Sequence, residues 1–149
     1  MERAIIGVAL AAVAAVSAAV LARRDSVASD PPADHHVPTA LDRADFRHGD
    51  RPWLVAVFTS ETCSSCADTW TRAQHLDSAM VAVQEVEIGA DGPLHERYGI
   101  DAVPTTVIAD QGGVVRGSFL GPVSTTHLWA RMAELRDPGS LPAGCDIDD

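Results

Sequence analysis

The chain contains no lysine: all 11 of its basic residues are arginine. They are outnumbered by 21 acidic residues, which leaves a formal net charge of −10. Nor are they clustered. Nucleic-acid binding needs grouped cations against the phosphates, so no nucleic-acid partner is expected. Cysteine is also scarce. Three cysteines are too few for a small fold held by disulfides, and no internal repeat is visible. What is present is a chain of 149 residues, 46% of them hydrophobic. That content excludes a wholly disordered protein, and the length suits one domain with an appendage.

The appendage comes first. Residues 4–22 (AIIGVALAAVAAVSAAVLA) carry no charge, with Arg3 on one side and Arg23-Arg24 on the other. At about 1.5 Å per residue such a run crosses a bilayer as a helix. No face of it is polar, which argues against a buried soluble helix. We read residues 1–24 as an uncleaved transmembrane anchor placing the protein in the cell membrane as a single-pass protein. The competing reading is a secretory signal with small residues at Val16-Ser17-Ala18. Cleavage there would leave part of the apolar run attached. The arginine count on the two flanks is nearly tied, so the side of the membrane stays open. Residues 25–37 (DSVASDPPADHHV) have no hydrophobic period and read as a flexible linker. His35-His36 lack further ligands nearby, so no metal is assigned to them.

The α/β domain is expected over residues 38–137. Leu41 to Phe46 suit a helical turn. Residues 53–59 (WLVAVFT) form an unbroken apolar run, as in a strand buried on both faces. After Cys66 the spacing turns helical, with Ala67, Trp70, Ala73, Leu76 and Met80 as the apolar stripe. Residues 81–88 return to strand character. Residues 89–92 suit a loop, and 93–98 a short helix stopped at Gly99. Residues 105–109 form a strand, residues 110–113 a tight turn, and 114–120 its antiparallel partner. Ser124 or Thr125 caps a last helix with Leu128, Trp129, Met132 and Leu135 inward. Residues 138–149 read as a disordered acidic tail. Cys145 lies in that tail; its acidic neighbours disfavour a thiolate, and we assign it no role. This order gives a mixed sheet with helices on both faces, its first two strands parallel.

The chemistry is expected at Cys63-Ser64-Ser65-Cys66, where the buried strand hands over to a helix. Cysteines three apart on a first helical turn bring their sulfurs within bonding reach. The unpaired N–H groups of the helix start favour a thiolate, the form that attacks disulfides. Cys63 is therefore the expected nucleophile and Cys66 the resolving residue. A zinc site would need a second ligand pair, and none follows. A purely structural disulfide gains little from so short a loop.

The chain resembles the thioredoxin-like family through WLVAVFTSETCSSCADTW and YGIDAVPTTVIADQGGVVRGSFLG, a likeness that spans residues 38–135. The resemblance implies a three-layer α/β sandwich around a mixed central sheet, with no cofactor. It implies a cis peptide before Pro104, facing the cysteines. It also implies that the backbone of Val103 pairs with a substrate strand. Thr62 stands where thioredoxins carry tryptophan, beside the substrate, and Ser64-Ser65 replaces Gly-Pro. The family's buried aspartate falls at Val57, and its partner lysine falls at Glu85. Glu85 is thus a candidate for proton transfer near Cys66; otherwise it shares a solvated strand face with Glu87. The implied activity is thiol–disulfide oxidoreduction on protein thiols and disulfides, by a monomer held near the membrane. Family analogues outside the cytoplasm include reductases for cytochrome maturation and for misoxidised secreted proteins. Two other classes compete. A non-catalytic adaptor would use the Val103-Pro104 edge and need neither cysteine. A copper chaperone would add His95 or His127 to the cysteine pair.

Overall fold

The computed structural model describes residues 35–139. The expected anchor, most of the linker, and most of the tail, with Cys145, lie outside these residues. No helix among the described residues is long and apolar enough to cross a membrane.

Four strands form one sheet: β1 (Trp53–Thr59), β2 (Val81–Glu87), β3 (Thr105–Ala109) and β4 (Val115–Leu120), in the order β2-β1-β3-β4. Among the described residues three helices accompany them: α1 (Cys66–Gln74), α2 (Ile88–Tyr98) and α3 (Thr125–Arg136). β1 runs parallel to β2 and antiparallel to β3, and β3 and β4 form an antiparallel hairpin. β1 is central, and every residue from Leu54 to Thr59 is buried. That explains its unbroken apolar run, since a strand covered on both faces has no solvent side to alternate with.

Alternate β1 residues feed two cores. Leu54, Ala56 and Phe58 face Tyr98 of α2, together with Leu41 and Phe46. Val55 and Val57 face Ala73 of α1 and Leu128 and Met132 of α3. Helices therefore cover both faces, as the element order predicts. Leu41 and Phe46 flank a single 3-10 turn over Arg43–Asp45, begun by the Asp42 side chain accepting from the Ala44 N–H.

Several local expectations shift. The inward stripe of α1 is Cys66, Thr69 and Ala73, continued by Leu76 beyond its end. Ala67 is exposed and Met80 is 46% exposed. The reason is that Cys66 itself begins the helix and points inward, so the buried stripe starts one residue earlier than the apolar letters suggest. Trp129 is 48% exposed, because Leu128 and Met132, one turn apart, already define the buried line of α3. The expected loop at residues 89–92 opens as a helical turn. The Glu87 carboxylate accepts from the Gly89 and Ala90 N–H groups at 2.7 and 3.0 Å and so caps that turn. The helix then kinks at Asp91 (φ −121°, ψ 30°), ahead of Pro93, which has no N–H to donate to a helical hydrogen bond. It stops at Gly99 (φ 62°), as expected of a glycine at a left-handed helix end. β4 begins at Val115, while Val114 bridges to Ala40 instead. Gly113 (φ 82°) is required at that crossing: a Cβ there would lie 2.0 Å from the Leu41 carbonyl oxygen.

The last linker residues are anchored. His35 Nδ1 lies 3.3 Å from an Asp101 carboxylate oxygen, and the His36 N–H donates to the other at 3.4 Å.

Candidate functional site

β1 ends at Thr59, and the chain turns through Ser60 to Ser65 into α1. The Cys63 N–H donates to Ser60 O at 3.1 Å, and the Cys66 N–H to Cys63 O at 3.3 Å. These turns bring the two Cα atoms to 5.4 Å, and the sulfurs are joined as a disulfide. The two ends differ. Cys66 is 2% exposed, whereas Cys63 is half-buried and reaches the surface. Of the two sulfurs, that of Cys63 belongs to the more accessible residue. Ser65 begins α1 without a side-chain cap, and its Oγ lies 3.7 Å from Cys63 Sγ. Beyond the Cys66 N–H, the next N–H groups of α1 receive no side-chain cap from Ser65.

The peptide before Pro104 is cis. Phe58 pairs with Thr105, so Val103 and Pro104 lie at the same end of the sheet as the cysteine loop. Pro104 is buried, and its carbonyl accepts from the Gly121 N–H at 2.8 Å. Among the described residues, the N–H and C=O of Val103 have no backbone or side-chain partner. They leave a short unpaired stretch of backbone at the cysteine end of the sheet. Thr62 is exposed, with its hydroxyl 3.0 Å from Ser60 Oγ.

Glu85 pairs across the sheet with Val57 and faces α1. It lines a cleft of about 130 Å³ with Thr59, Glu61, Cys63, Cys66 and Glu87. The structure therefore brings Glu85 to the cysteines, and it separates the roles of the two strand-end glutamates. Glu87 is committed to the start of α2 and to the Glu61 N–H, which it accepts at 3.2 Å. Glu85 accepts one hydrogen bond, from the buried Thr59 hydroxyl at 2.9 Å.

Thr59 and Glu61 are the site residues that sequence reasoning missed. Thr59 reads as the last apolar-strand residue; its role appears only once β1 is laid in register with β2. His95, a candidate partner of the cysteines in the copper reading, lies elsewhere. It is buried on the opposite face of the sheet, with Nε2 2.8 Å from Val86 O and the ring edge-on to Phe58. That position removes it from any ligand set with the cysteines. Among the described residues no cluster of three or more His, Cys, Asp or Glu side chains is arranged to hold a metal.

No protein-family model matches the chain, and no curated protein does. Solved structures do. A mutant thioredoxin from Halobacterium salinarum aligns over 58% of this chain and 76% of its own, at 20% identity and a TM-score of 0.52. The germline-specific thioredoxin Deadhead from Drosophila melanogaster aligns over 58% of this chain and 84% of its own, at 26% identity and a TM-score of 0.51. The described domain has a thioredoxin-like fold. A malaria-parasite thioredoxin-2, described as a component of protein secretion machinery, aligns over 56% of this chain and 82% of its own, at 15% identity and a TM-score of 0.50. The thioredoxin-like domain and its cysteine pair together point to thiol–disulfide redox chemistry.

Proposed function

We propose that the protein is a thiol–disulfide oxidoreductase that exchanges disulfides with protein substrates near a membrane. The observation that carries this is the asymmetry of the pair: a surface-reaching Cys63 bonded to a buried Cys66 at the start of α1. Cys63 takes the substrate sulfur, and Cys66 resolves the mixed disulfide. The free Val103 backbone beside them holds the substrate strand, with Thr62 on the rim. Glu85 serves as proton acceptor or donor for Cys66, held in place by Thr59. The apolar run at residues 4–22 supports the tether, as a single-pass anchor in the cell membrane.

Insulin reduction by the full chain, driven by dithiothreitol, tests the activity. The wild type should accelerate it and Cys63→Ser should not; equal rates for the two would end the enzymatic reading. The pH profile of Glu85→Gln tests the proton role. A profile that coincides with wild type removes Glu85 from the mechanism.

A further inference from the structure

The cleft beside the disulfide carries three carboxylates: Glu61, Glu85 and Glu87. Among the described residues, those of Glu61 and Glu85 have no cationic partner. Every ion pair among the described residues is made by an aspartate: Asp42, Asp45, Asp68, Asp77, Asp101 or Asp110. No arginine lines the cleft. Glu87 is the least free of the three, because the N–H groups at the start of α2 already offset its charge. Glu61 is exposed, two residues before Cys63. The reactive sulfur marks the cleft as a place where a second molecule arrives. The unpaired carboxylates mark which charge is missing.

We infer that the site selects disulfides flanked by cationic side chains, an inference that rests on the oxidoreductase reading above. Two effects act in the same direction. An acidic cleft raises the local concentration and the encounter rate of cations. The same carboxylates oppose the negative charge of the Cys63 thiolate, as like charges do. A docked cation offsets that opposition at the moment of attack. The exchange itself balances without a further reactant once the pair is reduced. The Cys63 thiolate attacks one substrate sulfur, the substrate S–S bond breaks, and the departing thiolate takes a proton from water. Cys66, deprotonated, then attacks Cys63 Sγ and releases the second substrate thiolate. Two electrons pass to the substrate, and the Cys63–Cys66 disulfide reforms.

The test uses the full chain carrying Cys145→Ser, pre-reduced, in non-ionic detergent. Single-turnover rates are taken with three small disulfides: cystamine (cationic), dithiodipropionate (anionic) and bis(2-hydroxyethyl) disulfide (neutral). Each is divided by the rate of dithiothreitol with the same disulfide, which removes intrinsic reactivity. The cation-to-anion ratio should be about tenfold or more at low ionic strength. It should fall towards one at high salt, as screening requires. Glu61→Gln combined with Glu85→Gln should cut the ratio severalfold. Glu96→Gln makes a single like charge change at the far end of α2 and should leave the ratio in place. A ratio near one in the wild type overturns the inference, as does an equal loss in Glu96→Gln, which would assign the preference to net charge alone. If the neutral disulfide reacts no faster than with a free thiol, the oxidoreductase reading itself fails, and this inference falls with it.

Discussion

The two faces of the sheet are built from different materials. On the α2 face, β1 presents Phe58, which meets the rings of His95 and Tyr98 at centroid distances of 5.2 and 6.3 Å. Phe46 stacks on Tyr98 at 5.9 Å. The polar edge of this cluster is tied down. Tyr98 Oη donates to Asp45 and accepts from the Asp42 N–H, while Arg97 pairs with both aspartates at 3.2 Å. On the α1 and α3 face the core is aliphatic: Val55, Val57, Ile108, Ala73, Leu128 and Met132. The redox pair sits at the margin of this second face. Interlocked rings and the Tyr98–Asp45–Arg97 network resist rearrangement, while the buried His95 Nδ1 has no hydrogen-bond partner among the described residues. The sulfurs lie where this aliphatic face meets the carboxylate-lined cleft of Glu61, Glu85 and Glu87. The ring cluster and the cysteine pair thus lie on opposite sides of one strand.

This contrast can be broken from either side. The largest effect is expected at the cysteines. Cys66→Ser should stop turnover and leave Cys63 captured in a mixed disulfide, visible as an added mass on the intact protein that a reductant removes. Phe58→Ala should cost about 3–5 kcal/mol by denaturant unfolding, since it empties the ring-lined core. The exchange rate of the remaining folded fraction should stay close to wild type. A lost rate at full folding would show that the two faces are coupled. Tyr98→Phe should cost about 2 kcal/mol, through the hydrogen bond to a charged carboxylate. It should also change the alkaline behaviour. Burial, with a further contribution from the hydrogen bond to Asp45, pushes the Tyr98 hydroxyl up to about 12, above its ordinary value of 10. The folded state therefore holds that proton more tightly than the unfolded chain. The resulting stabilisation is complete below pH 10 and is lost as the pH rises towards 12. Tyr98→Phe should flatten that decline. Tyr98 is the single tyrosine of the chain, so phenolate absorbance reads it directly. Thr59→Val should cost about 1 kcal/mol for the bond to Glu85. It should shift the pH profile of exchange in the same direction as Glu85→Gln. Trp129→Ser should change stability by about 0.5 kcal/mol or less, as for an exposed position outside either core.

Local features were legible wherever local physics decides them. β1 and β3 run over the expected residues because a run of buried β-branched and apolar residues has few alternatives. The helix end at Gly99 and the cap at Ser124 follow from backbone freedom and side-chain reach within a few residues. The cysteine spacing alone was enough to bring the two sulfurs within reach. Side-chain direction was less legible. Met80 and Trp129 count as core by composition and lie outside it, because apolarity does not say which side of a helix or turn is covered. His95 was unreadable for the opposite reason: its Val86 carbonyl partner lies on β2, and helix packing alone brings the two together.

By itself, then, the chain specified a strand, a reactive pair and a helix start, because those depend on neighbours within one turn. Tertiary structure decided what surrounds the pair. Strand register set Glu85 beside Val57 and within reach of Thr59. The return of β3 brought the free backbone of Val103 to the cysteine end of the sheet. Contacts between residues distant along the chain are created only when strands pair, and the chemistry of this site depends on such contacts.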